Sequence, residues 1–308
     1  MLVKVHACGI CGSDIVEWYR LPRAPLVQGH EIGAEVVSLG KGVERFKGGD
    51  RVFIPPKIPC GECRYCRNGH YPQCTGISER LPGGFAEYIL VPAVFVEKGT
   101  YLLPGNVTYE QSTFIEPLAC AVRAQRLAGA GRDKTVLVLG CGMSGLLHVK
   151  LAVAEGCRVF AVDVNPVKLE IAARLGAEAI NGGDGVHDRL VAENGCKADI
   201  VILASSAGQA VSEAWQCVDK GGVVVLFAVP GPDENVVVPV NDFWTKEITI
   251  LTSYYCGPPD ITEAMELIRT GKITVDDLIT HRLPLAEIVR GFELVSDGRE
   301  SIKVIIKP

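Results

Sequence analysis

The sequence predicts an α/β protein in which a mainly β domain accompanies a doubly wound parallel sheet. The first third of the chain shows short, weakly alternating runs, interrupted by a stretch rich in Pro, Gly and Cys. From about residue 118, continuous apolar runs alternate with helical segments, as is typical of buried parallel strands joined by helices. A chain of 308 residues is long enough for two such domains.

The first third contains the shorter predicted strands. Lys47-Gly48-Gly49-Asp50 is a hairpin-type turn, and residues 55–84 lack periodicity and predict a long loop. The predicted strands of this part are residues 2–10, 27–40, 51–54, 85–91 and 94–97.

The second part alternates strands with helices. Pro166 stands at a favourable first-turn position of its helix. The predicted strands are residues 135–139, 158–162, 199–204, 222–229 and 248–253, and the predicted helices are residues 143–155, 166–175 and 209–218.

The tail predicts a helix at 261–269, with Asp260 as its N-cap, and a last strand at 303–306. We expect that strand to return to the first domain, because chain termini often lie close together. The expected domains are residues 1–117 with 254–308, including a metal-binding lobe at 57–78, and residues 118–253.

Composition excludes several classes of protein. The formal charge is −5 without a long basic run, which argues against nucleic acid or a membrane surface as partner. No apolar run approaches the roughly 20 residues of a membrane span, and the first residues lack a signal-peptide pattern. Four of the twelve cysteines have metal-binding spacing, so we expect a reduced, cytoplasmic protein.

A glycine motif marks a nucleotide site. The segment Gly140-Cys141-Gly142-Met143-Ser144-Gly145 matches G-x-G-x-x-G, directly follows a predicted strand and opens a helix. Such glycines allow a tight turn and let a pyrophosphate approach the positive end of the helix. The predicted cofactor-binding residues are Gly140, Gly142, Met143, Ser144, Gly145, Asp163 and Lys168.

Asp163 indicates which dinucleotide is bound. It ends the next strand, 163 − 140 = 23 residues after the first glycine, close to the ~20 residues expected for the acid that binds the adenosine ribose. A carboxylate there favours NAD over NADP, because it would repel a 2′-phosphate. The alternative is a Gly-rich turn in an α/β fold that binds no nucleotide.

The loop contains four cysteines in the pattern Cys60-x-x-Cys63-x-x-Cys66-x₇-Cys74. Four thiolates complete a tetrahedral shell around zinc and leave no open position, so the pattern predicts a structural zinc site. Two disulfides, a redox C-x-x-C or an iron–sulfur cluster are the alternatives. A reduced compartment disfavours disulfides. Three cysteines share the C-x-x-C repeat, which disfavours a redox motif, and the long spacing before Cys74 disfavours an iron–sulfur cluster.

A second metal site is predicted from Cys11 and the segment Gly29-His30-Glu31. A catalytic zinc takes Cys, His or carboxylate ligands and keeps one position open. Each residue alone is ambiguous, but together, in a chain that also carries a nucleotide motif, they predict a catalytic centre. Glu116 is a further candidate, because a carboxylate among apolar residues needs a partner; an interdomain salt bridge is the alternative.

These motifs together resemble the zinc-dependent medium-chain dehydrogenase/reductase family, above all its polyol (sorbitol-type) and threonine dehydrogenase branches. The resemblance implies a GroES-like β-barrel catalytic domain, a Rossmann domain, and a homodimer or homotetramer. The motifs that carry it are Cys11-Gly-Ser13-Asp14, Gly29-His30-Glu31, the four-cysteine lobe, Gly83–Tyr88, Ile115–Leu118 and Gly140–Gly145.

The resemblance also implies roles for these residues. Cys11 and His30 ligate the catalytic zinc, with Glu31 and Glu116 as alternative carboxylate ligands. The cysteine lobe holds the structural zinc, which gives two zinc ions and one NAD per chain. The Ser13 hydroxyl accepts the proton of the alcohol and passes it on, while a hydride moves to the nicotinamide.

The sequence departs from the family at two places. The family normally carries a further segment ahead of the part matching Leu2–Cys11. Without that segment we expect an edge strand of the barrel to lack its partner. The alternatives are that another segment covers this strand, that it pairs between subunits, or that the gene start is misplaced. Val16 replaces a histidine that ends the proton relay in some relatives, so we expect the relay to use ribose, water or Glu17.

Four aromatic residues are candidates for the substrate pocket: Trp18, Tyr19, Tyr254 and Tyr255. Tyr254 stands where sorbitol-type relatives carry an arginine that holds polyol hydroxyls, which argues against sorbitol itself. The alternative role of these aromatics is ordinary packing.

We expect a small-molecule substrate, with NAD-dependent oxidation of a secondary hydroxyl in a polyol, sugar derivative or similar alcohol. L-threonine 3-dehydrogenase is the alternative within the enzyme class. A protein that binds NAD and zinc without catalysis is the alternative of another class.

Overall fold

The computed structural model describes residues 1–183, 185–228 and 230–308. The chain divides into two compact units: the first comprises Met1–Ala119 with Tyr255–Pro308, and the second comprises Cys120–Tyr254. Among the described residues, no helix combines the length and the apolar character that crossing a bilayer requires.

The described residues contain thirteen strands. In chain order they are β1 (Leu2–Gly9), β2 (Glu31–Ser38), β3 (Arg51–Ile54), β4 (Tyr88–Leu90), β5 (Tyr101–Leu102), β6 (Thr135–Leu139), β7 (Arg158–Asp163), β8 (Glu178–Asn181), β9 (Ala198–Leu203), β10 (Val218–Leu226), β11 (Thr249–Thr252), β12 (Ile279–Pro284) and β13 (Lys303–Lys307).

Twelve α-helices lie in the same described ranges. They are α1 (Glu17–Arg20), α2 (Arg64–Arg67), α3 (Ala93–Lys98), α4 (Tyr109–Ser112), α5 (Ile115–Ala128), α6 (Met143–Ala154), α7 (Pro166–Arg174), α8 (Val186–Asn194), α9 (Gly208–Cys217), α10 (Val240–Lys246), α11 (Pro258–Arg269) and α12 (Ile288–Asp297).

The first unit is built on a sheet in the order β12-β13-β1-β2-β3-β5, with β4 also paired to β1. The last strand does return to the first unit, because β13 pairs antiparallel with β1. β1 therefore has three partner strands, β2, β4 and β13, and lies in the interior of the sheet. The inward-facing residues of β1 and β2, such as Val3, Val5 and Val36, are fully or almost fully buried in the core.

The predicted strand at Val94–Glu97 is wrong, because these residues lie in helix α3. The run Val-Phe-Val favours a strand by propensity. However, Pro92 O accepts hydrogen bonds from the N–H groups of both Phe95 and Val96, which starts a helical turn. Phe95 and Val96 are buried in the core, so tertiary packing outweighs the local preference.

Asp260 is not the N-cap of α11. The helix begins earlier, at Pro258, and Gly257 is the cap. Asp260 occupies the third helical position, where its buried carboxylate accepts a hydrogen bond from Gly257 N at 2.8 Å. The carboxylate of Asp260 therefore stabilises the start of the helix from the first turn and not from the N-cap position.

The second unit contains a six-stranded sheet among its described residues, in the order β11-β10-β9-β6-β7-β8. All its strand pairs are parallel. In this order β6 and β9 are adjacent, at the point where the order of strand addition reverses, and such an order is that of a dinucleotide-binding fold. The strand predicted at 222–229 is β10, which ends at Leu226, and Val229 lies outside the described residues.

Candidate catalytic metal centre and nucleotide site

The predicted ligands Cys11, His30 and Glu31 lie together in the first unit. Their sulfur, ring nitrogen and carboxylate oxygen are all within 4.8 Å of one another. Cys11 follows the end of β1, and His30 leads into β2. Gly9 of β1 is the partner of Glu31 in the antiparallel register, so the sheet itself brings the two segments together.

The turn before His30 requires a glycine. Gly29 has a φ of +95°, and a Cβ at this position would lie 2.8 Å from Cys8 Sγ. Gly84 N donates to Gly29 O at 2.8 Å. The motif at residues 83–85 therefore holds the backbone that presents the histidine.

Cys11 opens a short 3₁₀ turn, Gly12–Ile15, that is held by Asp14. The side chain of Asp14 is fully buried, and its Oδ2 accepts from Cys11 N at 3.1 Å. Ser13 N points to Cys11 Sγ at 3.5 Å. An N–H group directed at the sulfur suits a metal-ligating thiolate, whose remaining lone pairs accept hydrogen bonds.

Asp14 also orients the side chain of His30, because its Oδ1 lies 3.3 Å from His30 Nδ1. Burial lowers the pKa of His30, but hydrogen bonds with Asp14 and Cys11 outweigh burial and hold this pKa well above its ordinary value. Burial raises the pKa of Asp14, but the hydrogen bond with His30 and the charge of Arg20 outweigh it and lower this pKa. A proton on Nδ1 that is donated to Asp14 leaves the Nε2 lone pair for a metal.

Glu31 and Lys303 form an ion pair in which both side chains are fully buried. Lys303 lies on β13, with Nζ 5.0 Å from the centre of the Phe114 ring. Glu31 Oε1 is buried and has no hydrogen-bond partner in the part of the chain that the structure describes. An unsatisfied carboxylate oxygen near a thiol and an imidazole is explained by a cation. These residues therefore fit a zinc ion.

Glu116 lies in the first turn of α5 and is 5% exposed. Its carboxylate is within 4.8 Å of Cys256 Sγ, which belongs to the same unit. Glu116 thus lies near Cys256, whereas Glu31 lies near Cys11 and His30. The role of Glu116 as an alternative zinc ligand therefore stays a prediction.

The predicted pocket aromatics lie in different surroundings. Trp18 is 47% exposed and meets Tyr19 edge to face, with the ring centres 5.8 Å apart. Tyr255 has a φ of +60°, and its hydroxyl donates to Lys57 O at 3.3 Å. Tyr254, in the second unit, is about half exposed. Their role in binding substrate stays a prediction.

Sequence reasoning missed Arg20 and Lys303. Arg20 donates to Asp14 Oδ1 at 2.5 Å and to Ser13 Oγ at 2.9 Å. Lys303 lies in a run of apolar residues, 302–306, which is buried in the structure. The sequence does contain a signal for its role, because a lysine inside an apolar strand needs an anion. The segment around Arg20 mixes aromatic, apolar and charged residues, and nothing in it distinguishes Arg20 from a surface arginine.

The four cysteines of the lobe converge as predicted ligands of a metal would: the sulfur atoms of Cys60, Cys63, Cys66 and Cys74 are within 4.8 Å of one another. Cys63 and Cys66 Sγ are 3.5 Å apart, and Cys60 and Cys66 Sγ are 3.9 Å apart. None of these four cysteines forms a disulfide bond, and both distances are well above the S–S bond length of about 2.0 Å. Four sulfurs at ~2.3 Å from a tetrahedral zinc lie about 3.8 Å from each other, so the spacing fits the ion.

Backbone N–H groups surround these sulfurs. Cys63 N and Glu62 N point to Cys60 Sγ at 3.3 and 3.4 Å. Hydrogen bonds from the backbone of Cys66 and Thr75 lower the pKa of Cys63 to about 6. Burial raises the pKa of Cys66 to about 12, so this thiol gives up its proton when a metal binds.

The glycine motif of the second unit joins β6 to α6. A Cβ on Gly145 would lie 1.8 Å from Gly140 O, so glycine is needed for the helix to begin this close to the strand. Gly142 caps α6, and Met143 and Ser144 form its first turn. The start of this helix fits a dinucleotide pyrophosphate.

Asp163 ends β7, the neighbour of β6. Its Oδ2 accepts from Cys141 N at 2.7 Å and its Oδ1 from Asn165 N at 2.8 Å. These bonds fix the carboxylate beside the glycine motif, where an adenosine ribose would lie. Burial and the charge of Asp163 raise the pKa of Cys141 to about 12, which makes that thiol inert, and the charge of Lys168 on α7 acts in the opposite direction.

Comparisons with known proteins agree with this architecture. The family of the alcohol dehydrogenase GroES-like domain matches residues 1–101, and the zinc-binding dehydrogenase family matches residues 145–270. The chain is 30% identical to the erythritol/L-threitol dehydrogenase of Mycolicibacterium smegmatis, over all of this chain and 90% of that protein. It is 32% identical to the L-galactonate-5-dehydrogenase of Escherichia coli, over 99% of this chain and 91% of that protein.

Among solved structures, the chain is similar to a zinc-binding dehydrogenase from Sinorhizobium meliloti 1021 bound to NADP. The TM-score is 0.87 and the identity 30%, over all of this chain and 92% of that one. The chain therefore belongs to the zinc-dependent medium-chain alcohol dehydrogenase family. The predicted family and fold class, a GroES-like domain with a Rossmann domain, are confirmed.

Proposed function

We propose that this protein is an NAD-dependent dehydrogenase with two zinc ions per chain that oxidises a secondary hydroxyl of a polyol or sugar derivative. Family membership establishes a zinc-dependent oxidoreductase. The two curated relatives named above act, by their names, on small polyols and a sugar acid. The observation that carries the proposal is the convergence of Cys11, His30 and Glu31, whose buried Oε1 has no partner among the described residues.

The reaction breaks a C–H and an O–H bond of the alcohol, whose carbon is oxidised by two electrons to a ketone. When bound, zinc supplies a Lewis acid for the substrate oxygen and NAD supplies an acceptor for the hydride. Cys11, His30 and Glu31 would hold the zinc through Sγ, Nε2 and a carboxylate oxygen. Ser13 takes up the proton of the alcohol while its own proton leaves to water.

We infer that NAD is preferred over NADP, although the solved neighbour from Sinorhizobium meliloti holds NADP. The carboxylate of Asp163 is fixed by two backbone hydrogen bonds and would face a 2′-phosphate with like charge. We expect kcat/KM to be at least about tenfold higher with NAD, and D163S to reduce this ratio. An equal kcat/KM with both cofactors in the native protein would contradict the inference.

A substrate panel tests the reaction. Zinc-loaded protein is incubated with NAD and erythritol, xylitol, sorbitol or L-threonine, and NADH is followed by absorbance. We expect turnover of a polyol, its loss in C11S and H30Q, and wild-type rates in the control C196S, whose cysteine is exposed. Faster turnover of threonine would favour threonine dehydrogenase. Bound NAD and zinc with no turnover of any alcohol would favour a non-catalytic binding protein.

We also infer that the protein forms a homo-oligomer through the edge of its second unit. Among the described strands, β11 pairs with β10 and has no strand on its other side. Ile250 on β11 is 38% exposed, and Trp244 on the preceding helix is 80% exposed. An open edge near apolar side chains suits a second copy of the chain. Light scattering should give a dimer or tetramer that I250K dissociates, and a monomeric wild type would contradict this.

We place the protein in the cytoplasm. None of the twelve cysteines forms a disulfide bond, four of them are spaced for zinc, and this pattern suits a reducing compartment. Fractionation of the source cells tests the assignment, and recovery outside the cytoplasm would contradict it.

A further inference from the structure

Arg20 ends α1 and turns its guanidinium back onto the turn that follows Cys11. Nη2 donates to Ser13 Oγ at 2.9 Å and to Asp14 Oδ1 at 2.5 Å, and Nε donates to Ser13 O at 2.9 Å. The Arg20 side chain is 17% exposed, and that of Asp14 is fully buried. Ser13 is therefore held at both its hydroxyl and its carbonyl by one cation.

The contact determines which hydrogen bonds remain to the Ser13 hydroxyl. A serine hydroxyl has one hydrogen and two lone pairs, whereas a guanidinium can only donate and stays charged. Arg20 occupies one lone pair of Ser13 Oγ. One lone pair and the hydroxyl hydrogen are left for exchange of a proton.

We propose that Arg20 is a positioning residue of the dehydrogenase reaction, which prepares Ser13 to take up the proton of the alcohol. The proposal rests on the function and the Ser13 role proposed above. In this step the O–H bond of the alcohol breaks and a new O–H bond forms on Ser13, while the original Ser13 proton passes to water.

The charge of Arg20 gives this step its direction. The Ser13 hydroxyl afterwards donates to the substrate oxygen, which has become negative. A hydroxyl that itself accepts from a cation is a stronger donor, so the negative oxygen is stabilised. Arg20 therefore favours the substrate without its proton, although it never carries that proton.

A purely structural role is the alternative, because Arg20 also contacts Asp14 and lies 3.4 Å from His30 Nδ1. Such a role would support the zinc site as a whole. It would affect neutral and negative ligands alike. The proposed role affects mainly a ligand whose oxygen becomes negative.

The test measures by calorimetry how tightly two ligands bind to zinc-loaded protein that also holds NAD. Trifluoroethanol loses its proton easily and presents a negative oxygen, whereas dimethyl sulfoxide presents a neutral oxygen. We expect R20M to bind trifluoroethanol about tenfold more weakly and dimethyl sulfoxide within about twofold of the wild type. R20M should keep its zinc, and R20K should recover part of the affinity.

Kinetics provide a second readout. We expect R20M to lower kcat for alcohol oxidation about tenfold, with KM within about twofold. Arg290 offers a control, because its side chain is 62% exposed and pairs only with Glu287, at 2.8 Å, among the described residues. R290M should match the wild type in both assays.

Equal binding of both ligands by R20M and the wild type would overturn the proposal. Loss of zinc from both R20M and R20K would also overturn it, since the role would then be structural. Failure of the proposed function is a separate result, seen as absence of turnover by the wild type. The comparison of the two ligands still decides on Arg20 in that case.

Discussion

Replacing Lys303 by methionine should destabilise the first unit strongly, because it leaves the Glu31 carboxylate buried without its cation. Both side chains of this pair are fully buried. Removing one partner of such a pair costs about 3–5 kcal/mol of folding free energy. Methionine is unbranched and flexible and fills much of the space, so a cavity adds little to this loss.

Lys307 provides a matched control on the same strand. Its side chain is 52% exposed and pairs with Glu110 at 3.1 Å. Exposed pairs contribute about 0–1 kcal/mol, so K307M should cost less than about 1 kcal/mol. The two variants make the same chemical change on one strand and differ in burial.

The assay is urea unfolding of the zinc-free protein, followed by tryptophan fluorescence. Trp18 lies in the first unit, whereas Trp215 and Trp244 lie in the second, so a W215F/W244F background makes the signal specific. Zinc should reduce the cost of K303M, because a metal ion also balances the Glu31 charge. Equal losses in K303M and K307M, or no recovery when E31Q is added to K303M, would refute the reasoning.

Two further predictions concern the second unit. Burial lowers the pKa of His148 to about 3. The unfolded chain takes up this proton below about pH 6.5, so the wild type should lose about 2 kcal/mol relative to H148M between about pH 7.5 and about pH 5. Urea unfolding at both pH values measures this, and a difference independent of pH would contradict it. G145A should lower the melting temperature, because its Cβ would lie 1.8 Å from Gly140 O. In G142A the new Cβ meets nothing within 4 Å, so this variant should keep the melting temperature. It should weaken NAD binding, because the second glycine of the motif lets the pyrophosphate approach the backbone. A wild-type melting temperature of G145A would contradict the packing argument.

Much of the fold could be predicted because local pattern and burial agree in it. The predicted strand at 135–139 is β6, with the same bounds, since a fully buried parallel strand is a continuous apolar run. Residues 94–97 show the limit of this reasoning. Their composition favours a strand, but the hydrogen bonds to Pro92 O and packing in the core favour a helix. Neither of these interactions can be read from a few consecutive residues.

The candidate site was predictable where chemistry follows spacing. The residue types of Cys11, His30 and Glu31 identify them as candidate ligands, and the pairing of β1 with β2 brings them together. The cations were not predictable in the same way. Lys303 pairs with Glu31 across 272 positions of the sequence. Arg20 contacts Ser13 because the short helix α1 directs its last side chain towards the preceding turn. Long-range pairing of this kind is set by tertiary packing, which one sequence does not encode locally.

The proposed catalytic centre is tested most directly by the zinc content per chain, measured by mass spectrometry on the native protein, C11S and C66S. The structure places the two cysteines in separate groups of ligands. We predict two zinc ions in the native protein and one in each variant. Two zinc ions retained in C11S, with one lost in C66S, would contradict a zinc site at Cys11, His30 and Glu31.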